Sequence, residues 1–271
     1  MPHRKLILEP DEVEQLRDVD HVAIIDLCSA AQYVSAHIPE AHYLPYQHIV
    51  RAKKPVMGLL PDPAVFSRLL SNLGVDENTH IIAYDDEGGG CASRLVWTLK
   101  VFGHSRASII NGGIISWINE AHEVSVLPPV NKPFNAYSLT TTSNETVDTD
   151  YIRQHLGNSA TALLDARSAA EYSGAKKLAE KAGHIPGAKF FEWTDAMDKN
   201  RNMRLLPDEQ IQKKLDELGL TTDKEIICYC QSHHRSAFSW VMLKHLGYTN
   251  VKGYPGSWSD WGNRADTPVE I

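Results

Sequence analysis

Long hydrophobic runs are missing from this chain of 271 residues. The longest apolar stretch without a charged residue, 107–119, is too short to cross a bilayer and contains two glycines. The first ten residues carry Arg4, Lys5 and Glu9 among few aliphatic residues, so no signal peptide is visible. Only four cysteines are present, too few for a disulfide scaffold. These absences predict a cytoplasmic protein with reduced thiols and no membrane association.

Basic clusters are also missing, and no run of five basic residues occurs. The formal net charge is -7, which argues against nucleic acid as a main partner. The hydrophobic fraction of 42% and the charged fraction of 23% are ordinary for a soluble globular protein. At about 150 residues per domain, the length predicts two domains.

The second half of the chain repeats the first. A strand-like run, a Ser-Ala-Ala-x-Tyr segment and a His-Ile-Pro triplet occur in this order in both halves. They lie at 22–26, 29–33 and 37–39, and again at 162–165, 168–172 and 184–186. The offset between the copies varies only between 139 and 147 residues. The chain is therefore interpreted as a tandem duplication, with a period too long for a solenoid.

The predicted domains are 1–125 and 146–271, joined by a linker over 126–145. The linker contains Pro128, Pro129 and Pro133, which disfavour a helix and predict partly extended chain. Within each copy, short aliphatic runs such as 225–229 alternate with helical patterns such as 210–218. This alternation predicts an α/β fold in each copy, with a parallel sheet covered by helices on both faces.

One loop concentrates reactive residue types beyond the carboxyl end of a predicted strand, where chemistry collects in open α/β sheets. It reads Cys230-Gln231-Ser232-His233-His234-Arg235-Ser236 and leads directly into an apolar helical pattern. Backbone N–H groups at a helix N-terminus form an anion site. We therefore expect Cys230 to be a thiolate near neutral pH, stabilised by the helix end and by Arg235.

The two copies differ in charge at this loop. No Asp or Glu occurs from Ile226 to Ser259, although the chain as a whole is acidic. The position paired with Cys230 in the first copy is Asp85, followed by Asp86, Glu87 and three glycines. This charge predicts that the first loop repels anions, so that one copy is active and the other is inactive.

The other candidate residues have plainer interpretations. Cys228 lies inside the predicted strand and is expected to pack in the core, and Cys28 and Cys91 are expected to be structural. His233 and His234 are either direct participants or solvated loop residues. A metal site is not predicted, because structural zinc sites usually join two separated ligand pairs. Residues kept in both copies are expected to support the fold: Asp26 and Asp165, His37 and His184.

The tandem repeat, the Cys-x4-Arg loop and the Tyr-Pro-Gly-Ser-Trp-Ser-Asp-Trp ending at 254–261 resemble the two-domain rhodaneses. The loop is most similar to that of bacterial thiosulfate:cyanide sulfurtransferases. Four positions depart from the pattern that the resemblance implies. Glu40 stands in place of Gly, Cys28 in place of Arg and Asp260 in place of Glu. Glu171 stands where some animal members have an Arg that contacts the substrate.

The resemblance implies a covalent sulfur transfer without a cofactor. The Cys230 thiolate would take the outer sulfur of thiosulfate, release sulfite and pass the sulfur to cyanide or a thiol. Arg235 would hold the anionic donor with its charged fork. The rest of the loop would line the substrate site: Gln231, Ser232, His233, His234 and Ser236. The expected partners are small molecules, and the expected state is a monomer.

Three alternatives remain open from the sequence. A phosphatase uses a related loop, but with five residues between Cys and Arg rather than the four found here. A non-catalytic module with a redox-sensing or persulfide-carrying Cys230 is a second alternative. A 3-mercaptopyruvate sulfurtransferase is the third, although its loop has small residues where this chain has His233 and His234.

Overall fold

The computed structural model describes residues 5–130, 134, 136–141 and 144–271. Within these ranges, no helix is both long enough and apolar enough to pass through a membrane. The first half of the chain forms, in order, β1 (Ile7–Leu8), α1 (Pro10–Leu16), β2 (Val22–Asp26), α2 (Ala30–Ser35), β3 (His42–Tyr43), β4 (Arg51–Lys53), β5 (Val56–Leu59), α3 (Pro63–Asn72), β6 (His80–Tyr84), α4 (Gly90–Val101), β7 (Ala107–Ile110) and α5 (Gly113–Asn119). The second half forms α6 (Thr149–His155), β8 (Thr161–Asp165), α7 (Ala169–Tyr172), β9 (Lys189–Phe190), β10 (Met197–Asp198), β11 (Arg204–Leu205), α8 (Asp208–Glu217), β12 (Glu225–Tyr229), α9 (Arg235–His245), β13 (Val251–Gly253) and α10 (Ser257–Trp261).

The first unit contains a five-stranded parallel sheet in the order β1-β7-β6-β2-β3. Every residue of β2, β6 and β7 is buried. Successive side chains of a strand point to opposite faces, so complete burial means that both faces of this sheet are covered.

The second unit contains a four-stranded parallel sheet in the order β13-β12-β8-β9. The central strand β12 is buried from Ile226 onward, and Tyr229 at its end pairs with Asp165 at the end of β8. The loops that follow these two strands therefore leave the sheet side by side. The two parallel sheets confirm the predicted tandem α/β architecture.

The compact units are not contiguous in sequence. One comprises Met1–Ile49, Pro61–Ser143 and Asp198–Leu205, and the other comprises Val50–Leu60, Asn144–Met197 and Leu206–Ile271. The antiparallel hairpin β4-β5 therefore belongs to the second unit, although it lies in the first half of the chain. The domains predicted from the sequence, 1–125 and 146–271, are continuous and do not include this exchange of segments between the units.

The described part of the predicted linker is non-helical, as its prolines suggest, and Pro133 lies outside the described residues. Residues 136–141 pack on the first unit. Leu139 is buried, and its N–H donates to the Ser67 hydroxyl at 2.9 Å. Part of this segment is thus anchored to the first unit by specific contacts.

Candidate active site

The loop that begins at Cys230 is held between β12 and α9. The predicted strand 225–229 is confirmed as β12, and α9 begins at Arg235 with His234 as its N-cap residue. The helix ends with Lys244 and His245 in its last turn, where cations favour the negative end of the helix dipole. Cys230 therefore lies at the carboxyl end of a central strand and one turn before a helix N-terminus.

Cys230 is completely buried, yet its thiol is acidified. Burial alone would raise the pKa of Cys230. The positive charge of Arg235, the Ser236 hydroxyl and the backbone N–H groups of Ser232 and Ser236 outweigh it and lower the pKa below the ordinary 9.0. The structure thus agrees with the expected acidification of Cys230.

Short contacts inside the loop fix its shape. His233 is buried with a φ of 55°, a left-handed conformation that is uncommon for a residue with a side chain. Its Nδ1 lies 2.8 Å from the Ser236 hydroxyl, which in turn faces Cys230. His233 is therefore built into the loop rather than solvated. His234 is half-buried, with its ring 5.8 Å from that of Trp193.

Helix α10 supports the loop from the other side. The backbone N–H groups of Trp258 and Ser259 donate to the carbonyls of Cys230 and Gln231, both at 2.9 Å. The Cys230 N–H donates to the Ser257 hydroxyl at 3.3 Å. The Gly-Ser-Trp ending was singled out in the sequence, but the support that Ser257 and Ser259 give this loop could be seen only after folding.

Arg235 is paired with Glu171 on α7. Its two terminal nitrogens donate to the two carboxylate oxygens at 2.7 and 2.8 Å, which is a bidentate arrangement. The Ser168 hydroxyl also donates to Glu171, at 2.7 Å. Burial would raise the pKa of Glu171, but the bonds from Arg235 and Ser168 and the charge of Arg235 lower it to about 2. The sequence predicted that Arg235 binds the anionic substrate. In the structure, some of its N–H donors are instead bonded to the buried Glu171 carboxylate.

The other three thiols lie in different environments. Burial raises the pKa of Cys228, in agreement with its predicted core position. Burial and the Asp26 carboxylate raise the pKa of Cys28. Cys91 lies in the first turn of α4, so it does occupy a helix N-terminus, but burial, Asp85 and Glu87 raise its pKa. Among the four, only the pKa of Cys230 is lowered.

The loop of the first repeat surrounds its own anion. Asp85 Oδ1 accepts N–H bonds from Glu87 and Gly89 at 3.1 and 2.7 Å, and Oδ2 accepts one from Ala92 at 2.9 Å. Burial and the neighbouring Glu87 raise the pKa of Asp85 to about 6, while these bonds oppose the shift. The sequence predicted that this loop repels anions. The geometry adds that its N–H groups are already occupied by a carboxylate.

The residues kept in both copies have structural partners. Arg167 forms a bidentate pair with Asp165 at 2.6 to 3.0 Å, and the Tyr229 hydroxyl donates to the same carboxylate at 2.7 Å. His184 stacks on Tyr172 with ring centroids 3.7 Å apart, and His37 stacks on Tyr33 in the same way at 4.1 Å. These contacts support the prediction that the repeated Asp and His residues serve the fold.

Comparison with known proteins places this architecture in one family. The model of the rhodanese-like domain matches the chain twice, over residues 9–120 and 148–264. The thiosulfate sulfurtransferases of Pseudomonas aeruginosa and Azotobacter vinelandii are each 42% identical over 268 residues, which covers 98% of this chain and 97% of theirs. The 3-mercaptopyruvate sulfurtransferase of Escherichia coli is 32% identical over 250 residues, covering 89% of this chain and 85% of the relative.

Solved structures agree at the level of the fold. The anaerobic ergothioneine biosynthesis enzyme from Chlorobium limicola superposes with a TM-score of 0.87 at 20% sequence identity, covering 98% of this chain and 70% of the other. Both halves of the sequence thus match one domain family, and each half folds as a parallel α/β sheet. The chain belongs to the rhodanese family.

Proposed function

We propose that this chain is a sulfurtransferase that moves the outer sulfur of thiosulfate to a thiophilic acceptor through a persulfide on Cys230. One observation carries the proposal: Cys230 is buried, yet Arg235, the Ser236 hydroxyl and two backbone N–H groups lower its pKa. The thiolate is the nucleophilic form of cysteine, so the lowered pKa raises the fraction of Cys230 that is present in the reactive form.

The first step transfers the sulfur to the protein. The Cys230 thiolate attacks the outer sulfur of thiosulfate and forms a new S–S bond. The bond between the two sulfurs of thiosulfate breaks, and its electron pair leaves with sulfite. The product, a Cys230 persulfide anion, carries its negative charge on a terminal sulfur that inward N–H groups can stabilise, as the matching N–H groups stabilise the Asp85 carboxylate.

The second step returns the enzyme to its starting state. The carbon of cyanide, or the sulfur of a thiolate, attacks the terminal sulfur of the persulfide. The S–S bond breaks, and its electron pair returns to Cys230 as the thiolate. Dividing the transfer into two displacements is the usual logic of covalent catalysis, and ping-pong kinetics follow from it.

The first repeat is proposed to be catalytically inactive, because Asp85 replaces the nucleophile and its carboxylate fills the loop. Under the sequence-derived assignment it spans 1–125, and the catalytic repeat spans 146–271. The chain is further proposed to act as a cytoplasmic monomer on small molecules, without nucleic acid, metal or cofactor. Light scattering of the purified protein tests the monomer.

The second candidate for the sulfur donor is 3-mercaptopyruvate, which would make the chain a 3-mercaptopyruvate sulfurtransferase. The relative of that name is less similar than the two thiosulfate sulfurtransferases, at 32% against 42% identity. Thiosulfate is therefore the favoured donor. Initial rates with each donor, using cyanide as the common acceptor, separate the two candidates.

The decisive experiment is an intact-mass measurement after incubation with thiosulfate and removal of the excess. The wild-type chain is expected to gain the mass of one sulfur atom and to lose it again when cyanide is added. Cys230→Ala is expected to gain nothing, whereas the matched control Cys228→Ala is expected to load normally. Loading of Cys230→Ala, or hydrolysis of a phosphate ester without any sulfur adduct, would overturn the proposal.

A further inference from the structure

The catalytic loop is in contact with a segment from the first half of the chain. The hairpin formed by β4 and β5 lies within Val50–Leu60, which belongs to the second compact unit. Strand β5 packs against α10, the helix that holds the carbonyls of Cys230 and Gln231. The hairpin is thus part of the structure that surrounds Cys230.

Gly58 makes the closest approach. A Cβ atom built on Gly58 would lie 2.0 Å from the carbonyl oxygen of Ser232 and 2.8 Å from that of Pro255. Both atoms belong to the backbone, so a side chain here could be accommodated only if the hairpin or the loop moved by about an ångström or more. Gly58 does not have a positive φ, so glycine is required here for space rather than for backbone conformation.

A second contact ties the same hairpin to the loop through α10. The Met57 N–H donates to the Ser259 hydroxyl at 3.1 Å. The backbone N–H of Ser259 in turn donates to the Gln231 carbonyl at 2.9 Å. The hairpin therefore reaches the loop directly at Ser232 and indirectly at Gln231, the two residues that follow the nucleophile.

We propose that the hairpin Val50–Leu60 is a positioning element for the catalytic loop, and that Gly58 is its positioning residue. The inference rests on the proposed function, because it assigns the hairpin to the loop that carries the persulfide. The second repeat is then not a self-sufficient catalytic domain, since a segment from the first half of the chain completes the structure around its nucleophile.

The chemistry explains why the position of Ser232 matters. The Ser232 N–H donates to Cys230 and is one of the groups that favour its thiolate. The charged and titratable groups around this site include Arg235 in the first turn of α9, Glu171 and Asp165, whose charges act on Arg235, and His233, which contacts the Ser236 hydroxyl. A displaced Ser232 removes an N–H from the thiolate and from the persulfide while leaving the Arg235–Glu171 pair in place.

The test is Gly58→Ala in the full-length chain, with Gly157→Ala as the matched control. Gly157 has a φ of 76° and open space around its Cβ position, so alanine there strains the backbone without touching the loop. Two quantities are measured: the rate of sulfur uptake from thiosulfate, and the pH dependence of Cys230 alkylation. For Gly58→Ala we expect uptake to fall by about 100-fold, the loss typical of a misplacement near an ångström.

Alkylation reports on the thiolate without any turnover. For Gly58→Ala we expect the midpoint of the alkylation rate against pH to rise by about one unit, because the thiolate loses an N–H donor. A variant that was merely less stable would behave like Gly157→Ala in both measurements. Uptake and alkylation equal to those of Gly157→Ala would overturn the inference.

A second variant keeps the test decisive if Gly58→Ala does not fold. Arg51 and Leu59 are directly paired across the hairpin, so residues 52–58 can be replaced by Asn-Gly, which favours a tight turn. Loss of uptake in this shortened chain supports the inference, and retained uptake contradicts it. Failure of the proposed function has a different signature, because the wild-type chain itself would then take up no sulfur.

Discussion

At the scale of single residues, the chemistry of the site depends on which groups stabilise the charges of Cys230 and Arg235. Cys230 is buried, and burial opposes the thiolate that the chemistry requires. Arg235 and three hydrogen-bond donors from Ser232 and Ser236 offset that cost. Arg235 itself is fixed by Glu171, so the positive charge beside the nucleophile is partly neutralised before any substrate arrives.

This pairing leads to a prediction for Glu171→Gln. Glutamine keeps an oxygen that can accept from Arg235 but removes a negative charge close to an incoming dianion. For unit charges about 7 Å apart, an effective dielectric constant near 20 gives a repulsion of about 2 kcal/mol, which sets the scale of the effect. The KM for thiosulfate is therefore expected to fall by about 3- to 30-fold after screening, measured by initial rates at saturating cyanide.

The contrary outcome has a distinct meaning. If Arg235 only pins the loop, Glu171→Gln and Arg235→Lys would both slow sulfur loading and sulfur discharge to the same extent. Single-turnover rates for the two half-reactions provide this comparison. A donor-specific effect assigns Arg235 to the substrate, as expected from the sequence, whereas equal losses assign it to the scaffold.

At the scale of elements, the two repeats use one strand-loop-helix unit in two ways. After β12 the loop N–H groups stabilise a thiolate, and after β6 the matching N–H groups donate to the Asp85 carboxylate, although burial and Glu87 outweigh them and raise its pKa. A loop of this kind is a concave group of N–H donors at a helix N-terminus, which favours any anion placed there. In the first repeat, the Asp85 carboxylate thus occupies the position that corresponds to Cys230.

Asp85→Ala tests this interpretation. Alanine leaves the N–H groups of Glu87, Gly89 and Ala92 without their acceptor, so the free energy of unfolding is expected to fall by about 2–4 kcal/mol. Asp86→Ala, in the same loop, is the matched control. Asp86 accepts bonds from Ser29 on an exposed surface, so its loss is expected to cost less than about 1 kcal/mol. Urea unfolding monitored by circular dichroism gives both values, and equal losses would contradict the assigned role.

At the scale of the whole molecule, the ion pair at the site also predicts how stability changes with pH. The folded chain lowers the pKa of Glu171 from 4.5 to about 2. Between these values the unfolded state binds the proton and the folded state does not, so stability rises with pH through this window. The contribution is complete above about pH 4.5 and is lost as the pH falls toward 2, with a magnitude of up to about 3 kcal/mol.

The measurement compares wild type with Glu171→Gln by urea unfolding from pH 2 to pH 7. The difference in their free energies of unfolding is expected to widen between pH 2 and pH 4.5 and then to remain constant. A difference that does not change with pH would show that the Arg235–Glu171 pair does not contribute to stability through its charge.

The sequence by itself determined the architecture and singled out Cys230 as the candidate nucleophile. The duplication was visible in repeated segments, and the alternation of aliphatic runs with helical patterns predicted the parallel sheets that the structure confirms. The placement of Cys230 was also local information. Residues 230–234 connect β12 directly to α9. The position of the thiol near a helix N-terminus therefore follows from residues that are adjacent in sequence.

Only the tertiary structure decided which distant residues complete the site. Glu171 lies on α7 and Gly58 on β5, and no local pattern connects either of them to the loop they touch. The same holds for Asp85, whose acidic neighbours suggested repulsion until the folded loop showed its N–H donors. The physical reason is that hydrophobic periodicity records which face of an element is buried, whereas ion pairs, close backbone approaches and the exchange of segments between units depend on how separate elements pack together.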